Sequence, residues 1–125
     1  MTDKTDRIRQ LNDLARRQPR IANASWVMTG RVTRLLLGDL EPGDPAHPRA
    51  LERVAALRNA IATFTDFTEG NDPYGEHDFG AFDLFGERLF WKLDYYHPDR
   101  DSHAPDPSSI ELCRRVLTVM LAQEY

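Results

Sequence analysis

Residues 66–80 hold the side chains best suited to chemistry. They read Asp66-Phe67-Thr68-Glu69-Gly70-Asn71-Asp72-Pro73-Tyr74-Gly75-Glu76-His77-Asp78-Phe79-Gly80. Beyond Thr68, four acids, one histidine and three glycines fall within 12 residues. A histidine among carboxylates is suited to proton transfer, because neighbouring negative charge raises its pKa toward working pH. The same oxygens and ring nitrogen suit a divalent cation. Asp72-Pro73-Tyr74-Gly75 carries β-turn chemistry, with Asp first, Pro second and Gly fourth. The bland alternative is structural: Asp72 caps the turn, Tyr74 packs, and His77 with Asp78 satisfies backbone groups. Along an extended chain Glu76 and Asp78 point one way and His77 the other, so the three converge only where the backbone bends. Their spacing matches no specific metal or hydrolase motif. Glu76, His77 and Asp78 are therefore the catalytic candidates. Asp72, Tyr74, Glu76, His77 and Asp78 are the binding candidates. No metal set and no cofactor is assigned.

The elements that must position this box follow from periodicity and punctuation. Residues 3–18 read as an amphipathic helix through Ile8, Leu11, Leu14 and Ala15, stopped by Pro19. Trp26, Val27, Met28 and Thr29 favour a strand at 25–29, extended through 32–36 with Gly30 as a bend. Two glycines and three prolines make 38–48 a loop. Residues 48–65 read as a second helix, with Pro48 in its first turn. The clearest tertiary signal is a hairpin over 78–96. A turn at Gly86-Glu87 pairs Leu84 with Leu89, Phe82 with Trp91 and Gly80 with Leu93. Phe82, Leu84, Leu89, Trp91, Leu93 and Tyr95 then share the core face. Phe79 and Phe90 lie on the other face, which is expected to be partly covered. After a loop at 97–107, Pro107 and a capping box of Ser108 with Glu111 open a third helix through Ala122. The fold class is α+β: three helices packed on a small antiparallel sheet, hairpin 78–96 plus a strand near 25–33, in a single domain over 1–125.

Composition narrows the function classes. The chain has 125 residues, 41% hydrophobic and 29% charged, so a packed core is the expectation. Its 16 basic and 20 acidic residues give a net charge of −4, which argues against a broad nucleic-acid surface. A weak nucleic-acid contact through Arg7, Arg9, Arg16, Arg17 and Arg20 stays as an alternative to a solvated helix face. Cys113 is the lone cysteine, expected as a small buried hydrophobe in a reducing, cytoplasmic setting. His47, His77, His97 and His103 lack zinc-site spacing. No signal peptide and no run long enough to span a membrane is visible.

The string NDPYGEHDFG, residues 71–80, continues into the FWKLDYY strand and a terminal RRVLTVMLAQEY. Together these resemble a bacterial family of unknown function, domain-of-unknown-function family 3768, over residues 3–125. The resemblance implies a small accessory or regulatory protein of chromosomes, plasmids and phage-related elements, one that contacts host defence proteins. It implies no activity. Two function classes therefore stand. One is a non-enzymatic interaction protein using the 69–78 loop and the aromatics Tyr74, Tyr95 and Tyr96. The other is a small hydrolase or metal-dependent enzyme using Glu76, His77 and Asp78. A protein partner is expected, and an uncovered hairpin edge leaves a homodimer open.

Overall fold

The computed structural model describes residues 3–38 and 48–125. Most of the loop read at 38–48 lies outside the described residues, as does His47. Helix α1 spans Asp3–Arg17, strand β1 Ala24–Met28, helix α2 Gly30–Leu37 and helix α3 Pro48–Ala62. Strands β2 Phe79–Leu84, β3 Glu87–Tyr96 and β4 Arg114–Leu121 follow, and a 3-10 turn at Ala122–Glu124 ends the chain. The α+β class holds, with three helices among the described residues packed on one sheet. The sheet is mixed rather than antiparallel, in the order β1-β4-β3-β2, with β1 parallel to β4.

Two elements differ from the sequence reading. The stretch read as a strand extension at 32–36 is helix α2. Thr29 caps it, its side-chain oxygen accepting the Val32 N–H, and Val32 and Leu36 fall one turn apart on the buried side. The segment read as a third helix is a run of turns followed by β4. Asp106, not Ser108, organises its start: its Oδ1 accepts both the N–H and the hydroxyl of Ser108, at 3.0 and 2.6 Å. That is an Asx turn, which competes with helix. From Cys113 onward, Cys113, Arg115, Leu117, Val119 and Leu121 alternate into the core. β4 lies between β1 and β3, where apolar residues suit both faces and blur the period.

The hairpin stands with its turn one residue earlier than read. Phe85 and Gly86 form it with φ of 53° and 77°, the left-handed pair of a type I′ turn. Gly80 now pairs with Trp91 and Phe82 with Leu89. The partner shift is two residues, so every side chain keeps its face. Leu89, Trp91 and Leu93 are buried, with Phe82 and Leu84 packed against them. Gly80 admits Trp91: a Cβ there would stand 2.2 Å from the indole Nε1. All three helices supply the same face, through Ala15, Val32, Leu36, Leu57 and Ile61. On the opposite face Tyr125 packs edge-on against Phe79 and Phe90, at 6.1 and 5.6 Å between ring centres.

Candidate functional site

The box leaves α3 through Phe64 and Phe67, whose rings meet edge-on at 5.0 Å. From Asp66 onward it is tied to itself. Asn71 Oδ1 accepts the Thr68 N–H at 2.8 Å, and Asn71 Nδ2 donates to the Asp66 carbonyl at 3.0 Å. The Asp72 N–H reaches the Thr68 carbonyl, and the Gly75 N–H closes the β-turn on the Asp72 carbonyl. Asp72, nearly buried, accepts the His77 N–H at 3.1 Å. The polar side chains of the loop thus stand in for the strand pairing it lacks. At its tip Tyr74 is 77% exposed.

The backbone does bend at His77, where φ is 57°. Histidine tolerates this left-handed conformation better than bulky or β-branched residues do. The bend turns the ring toward the helix layer. It stacks on Phe67 with centroids 3.7 Å apart and planes 3° from parallel. Nδ1 lies 2.9 Å from Asp13 Oδ1 on α1, and Nε2 lies 3.8 Å from Asp72 Oδ2. Asp13 also accepts from Arg16 at 2.7 Å. Burial works to raise the Asp13 pKa, but Arg16 and His77 hold it below its ordinary value. Arg16 is itself buried, donating to the Ile61 and Phe64 carbonyls while its guanidinium lies 5.2 Å from the centres of Phe67 and Trp91.

Glu76 goes elsewhere. Its carboxylate accepts from the Tyr95 hydroxyl at 3.3 Å, and its carbonyl accepts from Asn12 Nδ2 at 3.0 Å. Asn12 also donates to Tyr95 Oη at 2.7 Å and accepts from Arg115 Nε at 2.7 Å. Arg115 is fully buried, donating onward to the Pro107 carbonyl, with Tyr95 under its guanidinium. Burial pushes Tyr95 far up, so it stays a neutral hydroxyl. Burial and the neighbouring Asp78 raise Glu76. Asp78 is raised by burial and by the charges of Asp72 and Asp94. The Asp78 carbonyl accepts the Leu93 N–H, which starts the hairpin ladder.

Glu76, His77 and Asp78 thus disperse: His77 to Asp13 and Asp72, Glu76 to Tyr95, and Asp78 into the hairpin entry. Among the described residues no three His, Cys, Asp or Glu side chains are placed to hold a metal ion. His77 does border open space. A cleft of about 400 Å³ is lined by Arg9, Phe67, Glu69, Asp72 and His77. A second, of about 310 Å³, lies between His77 and Arg16, Arg17 and Thr65.

The residues that brace the box, Asn12, Asp13, Arg16 and Arg115, escaped the sequence reading. Arg16, expected on a solvated basic face, is 2% exposed. Helical spacing carried the signal: Asn12 and Arg16 lie one turn apart on the stripe of Ile8, Leu11 and Ala15, where a polar residue must be bonded. Cys113 is buried as expected, though it precedes a strand rather than lying on a helix, and burial raises its thiol pKa.

No helix among the described residues is long and apolar enough to cross a membrane. No curated protein and no solved structure matches the chain. A family model described as "Protein of unknown function (DUF3768)" matches residues 43–124, taking in α3, the box, the hairpin and β4. That span is well over half of the chain, and the protein belongs to this family of unknown function.

Proposed function

We propose that this protein is a binding module, a regulatory accessory factor rather than a catalyst, whose 69–77 loop engages a partner protein with Tyr74 as anchor. The observation that carries this reading is an aromatic side chain, 77% exposed, on a turn whose flanks are hydrogen-bonded to the loop itself and to α1. A rigid aromatic loses little freedom on binding, and such anchors are worth about 2 kcal/mol or more at interface centres. Asp72 and His77 hold the turn, Glu76 ties it to Tyr95, and Asp78 seats it on the hairpin. A buried, unpaired Cys113 fits work in a reducing cytoplasm. The family resemblance extends the proposal to an accessory protein of a plasmid or phage-related element, with a host defence protein as the kind of partner.

The test compares Tyr74→Ala with Tyr125→Ala, since both tyrosines are 77% exposed. A partner recovered with the wild type and Tyr125→Ala, and lost with Tyr74→Ala at unchanged melting temperature, supports the reading. Equal recovery with both variants contradicts it.

A second reading rests on Asp13 and His77. A carboxylate at Nδ1 orients an imidazole for general-base work at Nε2, and the ring faces open space. Asp72 opposite Nε2 makes that role less free. Hydrolysis of a chromogenic ester or phosphodiester that is lost on Asp13→Asn, with the fold retained, would favour catalysis over binding.

A further inference from the structure

Residues 14–38 carry five arginines, at 16, 17, 20, 31 and 34, and no acid, in a chain whose net charge is −4. Arg16 is buried in the helix layer, and the other four are exposed. This basic segment contains β1, an outer strand of the sheet. In the parallel ladder the Asn23 carbonyl accepts from Arg115 and the Thr29 N–H donates to Val119. Such ladders alternate, so the odd-numbered residues of β1 face β4 and the even-numbered ones face outward. The Ala24 N–H obeys this, bonding back to the Pro19 carbonyl rather than to β4. The N–H and C=O groups of Trp26 and Met28 therefore point away from the sheet.

Beside this edge lies an apolar groove of about 290 Å³, lined by Pro19, Ala24, Trp26, Met28, Val54, Leu57 and Arg58. Trp26 forms a fixed wall, because its indole N–H donates to the Ala15 carbonyl at 3.0 Å. Met28 is 40% exposed. Arg58, exposed on α3, puts a cation at the groove.

We infer that β1 is a docking edge for an extended acidic segment of a partner protein, which adds a strand beside Trp26 and Met28 and seats an apolar side chain in the groove. The edge supplies backbone pairing, and the groove selects alternate side chains. Arg58 at the groove and the exposed arginines that flank β1 in sequence favour an acidic segment over a basic one. A second copy of this chain is disfavoured, because it would bring the same arginines face to face. This surface is separate from the Tyr74 loop. That loop feeds β2, the strand at the far end of the sheet order, so either site can fail without the other.

The test uses the full chain and a blocked peptide of about seven residues alternating leucine with glutamate. Amide hydrogen exchange is read by NMR, with a lysine-for-glutamate peptide as control. The expected result is new protection at the Trp26 and Met28 amides and weakening of roughly tenfold or more on Arg58→Glu. Met28→Pro is expected to fold, because its N–H lies outside the ladder, and to lose the peptide. If Met28→Pro fails to fold, the Trp26 amide and Arg58→Glu still decide. Four results would overturn the inference: no protection at Trp26 and Met28, equal binding of the lysine peptide, protection arising from concentration-dependent dimerisation, or a preference for single-stranded DNA.

Discussion

Asn12 joins the helix layer, the box and the centre of the sheet, and Asn12→Ala isolates that junction. The side chain is fully buried. Its Nδ2 serves the Glu76 carbonyl and Tyr95 Oη, and its Oδ1 serves Arg115 Nε, at 3.0, 2.7 and 2.7 Å. Two neutral hydrogen bonds contribute about 1 kcal/mol each and one to a charged group about 2, so roughly 4 kcal/mol is lost. Arg115 would keep its bond to the Pro107 carbonyl, but its Nε would join its Nη1 among buried groups with no hydrogen-bond partner. For a chain of this size 1 kcal/mol moves the melting temperature by about 4 °C, so the expected drop is roughly 15 °C. Urea denaturation followed by tryptophan fluorescence measures the loss. Amide exchange at Glu76, His77 and Asp78 shows whether the box loosens first. A drop under about 4 °C, or box amides that exchange no faster than wild type, would refute the bracing role of Asn12.

Other substitutions probe the remaining parts. Gly80→Ala sets a methyl against the buried Trp91 indole and is expected to cost about 3 kcal/mol or more, read as a lower urea midpoint at unchanged m-value. Asp13→Asn removes the carboxylate shared by Arg16 and His77, and about 2 kcal/mol is expected to be lost at neutral pH. Because the Asp13 pKa is lowered in the fold, its contribution is present above 3.8 and disappears as pH falls through the folded value, so wild type and variant converge in acid. Asp78→Asn has the opposite sign. A raised carboxyl pKa penalises the fold once the group ionises, so the variant is expected to melt higher at pH 7, with the gain fading as pH falls toward 3.8. Melting curves across pH measure both.

Much of the frame is legible in the sequence, for identifiable reasons. The helices near 3–17 and 48–62 carry clean periods with a proline at one boundary, and the hairpin alternates strictly enough to survive a misplaced turn. That turn was misread because Phe85, a bulky residue, occupies a left-handed position that glycine usually marks. β4 read as a helix because Leu117 and Met120 happen to fit a period of 3.6. Its β-branched Val116, Thr118 and Val119 were the better guide. At the site, the Asp72–Gly75 turn was legible from local chemistry. The spacing of Asn12 marks it for burial, but its partner and that of Asp13 are not legible, since each lies 64 residues away and only folding brings them together.

The most direct test of the Tyr74 anchor places a photoreactive phenylalanine analogue at position 74 and, in a parallel sample, at the equally exposed position 125. The expected result is one protein crosslinked from position 74 and absent from position 125. In purified form, that protein would bind the wild type and lose at least about thirtyfold in affinity for Tyr74→Ala. Indistinguishable crosslinks from the two positions, or a purified partner that binds Tyr74→Ala as tightly as wild type, would contradict it.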